Sequence, residues 1–172
     1  KKQNEGLLAW QKFALQLVAA IVYVVVMKVT GHIDTSLYIP YFKVELELGV
    51  FYYLFALFIV TGIVNSVNLT DGIDGLASSV TLIVMGFFAV VAFDVMSESL
   101  TLISATLIGG MIGFLVYNLH PAKVFMGDTG SMFLGGCIVA MAFGVGMPLI
   151  LAFTGIIYIC ESMSVVLQVI SF

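Results

Sequence analysis

Three aspartates, Asp71, Asp74 and Asp128, sit in two short glycine-rich stretches, 68-NLTDGIDGLA-77 and 124-VFMGDTGS-131, at the ends of hydrophobic runs. In the first, Asn65, Asn68, Asp71 and Asp74 recur every three residues, which on a helix would place them on one face. Gly72 and Gly75 point instead to a break in which backbone amides become free for a ligand. Amides, the two asparagines Asn65 and Asn68 and two carboxylates suit a base or ribose; the alternative is a capped turn that starts the next helix. In the second, Gly127 and Gly130 flank Asp128, with Thr129 and Ser131 at a helix start. Free amides and hydroxyls there attract phosphate, and a hard carboxylate beside them can hold Mg²⁺ that bridges phosphate oxygens. Asp128 is the leading metal ligand on this reading.

Around these two stretches four residues have open readings. Lys123 either neutralises phosphate or extends to lipid head groups. Asn118 either orients a ligand or caps a helix, His120 is an acid or base or a turn residue before Pro121, and Phe125 stacks on a base or packs against the membrane.

The elements that must position these groups are membrane helices. Of 172 residues, 62% are hydrophobic and 9% charged, against roughly 25% charged in soluble domains, which excludes a water-soluble fold. Apolar stretches long enough to cross a ~30 Å hydrocarbon layer fall near 13–29, 50–67, 76–93, 100–118, 132–147 and 149–170, the fifth being short. The expected fold is therefore all-α: a single integral membrane domain over 1–172, a bundle of about six spans. Six spans bring the 68–75 and 119–131 loops to one face together with Lys1, Lys2, Lys12 and Lys123, while Lys28 and Lys43 lie on the other; there is no Arg. The excess of Lys makes the first face cytoplasmic, so both acidic stretches meet nucleotides and Mg²⁺ there. An odd number of intervening spans would separate them.

The opposite face carries a loop over 30–49 in which 44-VELEL-48 alternates and 37-LYIPYF-42 can pair with it, so a small extracytoplasmic β-hairpin is expected. His32 and Asp34 in this loop read as a solvated pair. Cys137 and Cys160 lack metal-ligand spacing and serve as small apolar fillers. Glycines at 109-GGMIG-113, Gly135 and Gly136 allow close helix approach. No Walker sequence, HExxH or GxGxxG is present. In the last span Glu161, Ser164 and Gln168 form one polar stripe; such groups normally face a bundle or cavity, here toward the site or in hydrogen bonds between helices.

The runs NLTDGIDGLA, YNLHPAKVFMGDTGS and ESMSVVLQVISF resemble the bacterial phospho-N-acetylmuramoyl-pentapeptide transferases, within the polyprenyl-phosphate sugar-1-phosphate transferase superfamily, across essentially the whole chain. That resemblance implies attack of undecaprenyl phosphate on the pyrophosphate of UDP-N-acetylmuramoyl-pentapeptide, with Mg²⁺ required and UMP released. The product is the first lipid-linked peptidoglycan precursor. It also implies a multi-pass protein of the bacterial plasma membrane with a cytoplasmic active site, and a homodimer. By motif, Asp128 should be the Mg²⁺ ligand. Asn68, Asp71, Gly72, Ile73 and Asp74 should line the catalytic and uridine cleft, and Asn118, Phe125, Gly127 and Gln168 should complete it. Lys12 matches a lysine found near such sites.

The same resemblance implies an adjacent Asp pair just before Lys1 and a His-rich loop just after Phe172. Neither is in the sequence, so the chain is expected to be an internal portion of a protein of about ten spans and inactive alone. Two further readings stand beside this one: a sister transferase using UDP-N-acetylglucosamine, and an ion-coupled transporter, whose acids should line a path through the bilayer rather than gather at one surface.

Overall fold

The computed structural model describes residues 8–39 and 44–171. Lys1, Lys2 and Lys43, used above for orientation, and 40–43 of the expected hairpin lie outside the described residues. Helix α1 (Ala9–Val29) is followed by strands β1 (Ser36–Ile39) and β2 (Val44–Glu47), then α2 (Phe51–Thr70), α3 (Leu76–Asp94), α4 (Glu98–Asn118) and α5 (Gly127–Gly144). A 3-10 turn, Pro148–Ile150, leads into the short α6 (Leu151–Thr154) and α7 (Ile156–Ser171).

Local chemistry sets the breaks. Helix α2 stops where Asp71 and Gly72 follow Thr70, and Gly75, at φ +74°, turns the chain into α3. A left-handed φ there is open to glycine without steric cost. Helix α4 stops at Asn118, with Leu119 extended two residues ahead of Pro121, and α5 opens on Gly127 at φ +70°. The four polar helix ends fall at one end of the bundle: the start of α1, the end of α2, the end of α4 and the start of α5.

Four helices, α1 to α4, are long and apolar enough to cross a membrane. The Pro148–Thr154 and Ile156–Ser171 segments, bent by 65°, make a fifth span if taken together. The expected sixth, α5, falls outside that measure of length and composition because it begins GDTGS, yet it leads from the polar end of the bundle to the 3-10 turn packed against β1.

Packing follows the pairs α3 with α4 and α2 with α5. Ile63, Val64 and Val67 of α2 are buried with Leu134, Ile138 and Met141 of α5, and Phe88 of α3 is fully buried. Thr81 of α3 and Tyr158 of α7 share a buried 2.8 Å hydrogen bond that ties α7 to the bundle. Among the described residues every buried side-chain polar atom has a partner, as an apolar surrounding demands. Much of α1, α4 and α7 keeps Leu, Ile, Val and Phe exposed, the surface a bilayer solvates.

The hairpin forms with register Leu37↔Leu46 and Tyr38↔Glu45. Only β1 is covered: Leu37 is buried against the 3-10 turn side, whereas all of β2 is exposed. The alternation of Val44, Leu46 and Glu45 therefore does not become an inside and an outside.

The glycines divide in the same way. A Cβ on Gly135 would lie 2.8 Å from the Val64 Cα, so α2 and α5 touch backbone to backbone there, while Gly136, Gly109, Gly110 and Gly113 have nothing within 4 Å. Gly135→Ala should overpack the α2/α5 contact and destabilise by ~1–3 kcal/mol, with Gly136→Ala near neutral. Thermal unfolding in detergent reads the difference, and equal effects at the two positions would contradict the contact.

Candidate functional site

At the polar end of the bundle, Lys12 from the start of α1 forms an ion pair with Asp128 Oδ2. Asn68, in the last turn of α2, donates to Asp128 Oδ1 at 3.3 Å and to Ser131 Oγ at 2.8 Å. Ser131 is buried and donates to the Gly127 carbonyl at 3.1 Å, so the first turn of α5 is held from within while Asp128 is half exposed. Asp71 joins from the end of α2, beside the Gly127 backbone amide and within reach of the Asp128 charge. Asn68, 60 positions from Asp128 in sequence, and Lys12, 116 positions from it, thus share one carboxylate.

The electrostatics separate the three acids. Burial pushes the Asp71 carboxyl above the usual range, the Gly127 amide works against that, and the neighbouring Asp128 charge adds to the rise. Asp128, ahead of the apolar part of α5, is held below the usual range by Lys12 first and Asn68 second. Asp74 is also lowered, by the Ala122 amide and then by His120.

Asp74 does not sit in the Asp128 cluster. Its Oδ2 accepts from the Ala122 amide at 3.0 Å and pairs with His120 Nδ1 at 3.0 Å, clasping the loop after α2 to the loop after α4. His120, a turn residue or an acid or base on sequence grounds, is this partner. Asn118 is buried: Ser78 donates to its Oδ1 at 3.0 Å and its Nδ2 donates to the Val124 carbonyl at 2.9 Å. It braces the loop and does not open to a ligand. Gly75 packs close to Leu119 in the same joint.

Ile73 and Phe125 are exposed, at 62% and 71%; Gly72 is exposed as well, and Gly127 supplies the turn and the amide described above. Gln168 is far less integrated. It is exposed and hydrogen-bonds Ser164 of its own helix at 3.5 Å, toward the far end of the helix that follows the 65° bend. The polar stripe of α7 therefore meets neither Asp128 nor Asn68 among the described hydrogen bonds. Asn65, expected to share a face with Asn68, turns to α1 and donates to Gln16 Oε1 at 2.7 Å.

Gln16 was missed by the sequence reading. Its signal was a polar residue four positions after Lys12 inside an apolar span, and it lines, with Lys12, Tyr23, Val64, Thr129 and Met132, a groove of about 450 Å³ between α1, α2 and α5. Ala122 carried no signal, since only its backbone amide acts.

Asp71 and Asp128 are hard oxygen donors at the end of α2 and the start of α5, close enough for the charge of one to act on the other. Among the described residues no group of three His, Cys, Asp or Glu gathers, which disfavours the closed nitrogen and sulfur shell of zinc. An exposed Asp128 with the partly buried Asp71 nearby suits Mg²⁺, which keeps several waters and is held by one or two carboxylates together with substrate phosphates.

Fold and site together define a polytopic helical membrane protein with an acidic, lysine-paired site at one end of its bundle. The chain belongs to glycosyl transferase family 4, whose family model matches residues 5–146. It is 48% identical, over 99% of its length, to the phospho-N-acetylmuramoyl-pentapeptide-transferase of Caldanaerobacter subterraneus subsp. tengcongensis. It is 44% identical over 100% of its length to the protein of that name from Clostridium perfringens and 45% identical to that from Heliobacterium modesticaldum. In each case it covers 54% of the relative, so the chain spans about half the length of the curated relatives it matches. The resemblance seen in the three motifs is thereby borne out.

The Asp74 clasp yields a pH dependence. Its folded pKa lies below the unfolded one, so its contribution is fully present above the ordinary Asp range of about 4 and is lost as pH falls through the folded value. Asp71, raised, works in the opposite sense. In Asp74→Asn the stability deficit relative to the parent should be largest near neutral pH and shrink below about pH 4, with the Asp71 contribution common to both proteins. Thermal unfolding across that range checks it; a deficit independent of pH would contradict the clasp.

Proposed function

We propose that the protein to which this sequence belongs transfers phospho-N-acetylmuramoyl-pentapeptide from its UDP conjugate to undecaprenyl phosphate in a Mg²⁺-dependent reaction, releasing UMP. The observation that supports this is the convergence of Lys12, Asn68, Asp71 and Asp128 at one membrane end of the bundle, where a lipid phosphate and a water-soluble nucleotide can meet. Asp71 and Asp128 would hold the Mg²⁺, which when bound supplies charge neutralisation at the phosphates.

The remaining roles fall to the chain's own groups. Asn68 orients the Asp128 carboxylate, Ser131 fixes Asn68, and Lys12 places a cation beside the phosphates. The Gly127 amide lies beside Asp71, and the exposed Phe125 and Ile73 offer apolar faces to a base. Phosphoryl transfer is mainly positioning and charge neutralisation, which this set can provide. Of the described lysines, Lys12 and Lys123 lie at the site end and Lys28 at the other, which supports a cytoplasmic site in a bacterial plasma membrane. The sister reaction with UDP-N-acetylglucosamine uses the same chemistry and differs in which nucleotide sugar is accepted.

A chimaera in which residues 1–172 replace the matching stretch of the full-length Caldanaerobacter relative tests the proposal. It should release UMP from UDP-N-acetylmuramoyl-pentapeptide with undecaprenyl phosphate and Mg²⁺, and Asp128→Asn in it should lower the rate on the order of a hundredfold or more. UMP release from UDP-N-acetylglucosamine alone would favour the sister reaction, and an unchanged rate in Asp128→Asn would remove Asp128 as the ligand.

A further inference from the structure

The ammonium of Lys12 takes up an oxygen of Asp128 that a divalent ion could also use. It pairs with Oδ2, while Asn68 takes Oδ1, so both carboxylate oxygens are engaged. Mg²⁺ needs at least one of them. The Asn68 bond is backed by the buried Ser131 and the α2/α5 packing, and is the harder to release. Lys12 is the movable partner: its side chain is 35% exposed and that of Asp128 52%, and its flexible stem sits at the open mouth of the α1/α2/α5 groove.

We infer that Lys12 is a placeholder cation: it neutralises Asp128 in the metal-free protein, is exchanged off the carboxylate by the divalent ion, and is thereby freed to meet a phosphate anion. The inference rests on the Mg²⁺ reading of Asp71 and Asp128 given above. It assigns Lys12 two alternative partners, a carboxylate without metal and a phosphate with it. The exchange needs no change in fold, because the ammonium rotates about its own side-chain bonds at a solvated helix end. It also makes metal and anion binding cooperative beyond direct bridging: each metal ion bound releases one ammonium for the anion.

The linkage has a sign that separates it from a simple charge effect. Removing the ammonium with Lys12→Met should tighten metal binding, since Asp128 is no longer occupied. Lys12→Arg keeps the charge but offers a planar fork that grips a carboxylate in two places, so it should weaken metal binding relative to the parent. A long-range charge effect alone would leave the arginine variant equal to the parent.

The test uses the full-length chimaera described above, in detergent micelles, with Mn²⁺ as the probe, its free concentration followed by electron paramagnetic resonance, and with inorganic pyrophosphate as the anion. Expected is the affinity order Lys12→Met, parent, Lys12→Arg, with steps of roughly two- to fivefold, the scale of an exposed ion pair. Expected also is that Mn²⁺ strengthens pyrophosphate binding more in the parent than in Lys12→Met. Lys12→Met binding Mn²⁺ no more tightly than the parent, or Lys12→Arg binding it as tightly as the parent, would overturn the placeholder role. Asp128→Asn is the separate control. If the parent binds no Mn²⁺, or binds it as well in Asp128→Asn, the metal reading itself falls, and the placeholder role with it.

Discussion

A carboxylate facing hydrocarbon is costly enough that acids in a membrane chain are driven to water, to a partner or to a cation. This constraint organises the polar end of the bundle. Asp71 ends α2, Asp128 begins α5, and Lys12 stands in the first turns of α1, so three separate helices each place a charged group within one layer. Once there, the groups can satisfy one another. Asn68 and Lys12 take the two oxygens of Asp128, and Asp71 lies beside the Gly127 amide. The helices reach this layer because α2 and α5 pack at Gly135 with almost no space between their backbones. A wider α2/α5 separation would part Asn68 from Ser131 and Asp128.

Two kinds of polar contact share this end, and they differ in exposure. Asn118, Ser78 and Ser131 are buried and fully partnered, and they set where the two loops lie. Lys12 and Asp128 are partly open to solvent and remain free to exchange partners. The clasp of Asp74 with His120 and Ala122 lies between these cases: it joins the loops at their rim. A rigid interior layer with an exchangeable outer pair is a suitable arrangement for binding a cation and an anion together, since the scaffold need not move when the ligands do.

Much of this was legible in the chain because acids and glycines are scarce in a sequence that is 62% hydrophobic. The helices α1 to α4 and the position of the hairpin followed from hydropathy and turn residues, and the meeting of both acidic stretches followed from the parity of spans. Distinctions that depend on side-chain direction were not legible. Asn65 and Asn68 have the same spacing and type, yet one turns to Gln16 and the other to Asp128. Asn118 reads as a ligand group and is a buried brace. Asp74 looks like the twin of Asp71, but a backbone amide 48 residues away captures it. Helix α5 carried the weakest hydropathy signal, because polar residues that serve the site occupy its first turns. The stripe on α7 follows helical spacing correctly, but spacing carries no information on the bend at Gly155 that turns it away.

The central claim is that Asp71 and Asp128 lie together at one end of the bundle, on one side of the membrane. Cysteines introduced as Asp71→Cys and Asp128→Cys, with Cys137 and Cys160 replaced by Ala, allow this to be measured in sealed vesicles by a short bifunctional thiol reagent. The account predicts rapid cross-linking of the pair within one chain and labelling of both positions by an impermeant thiol reagent from the same side only. Absence of the cross-link together with labelling from opposite sides would contradict it.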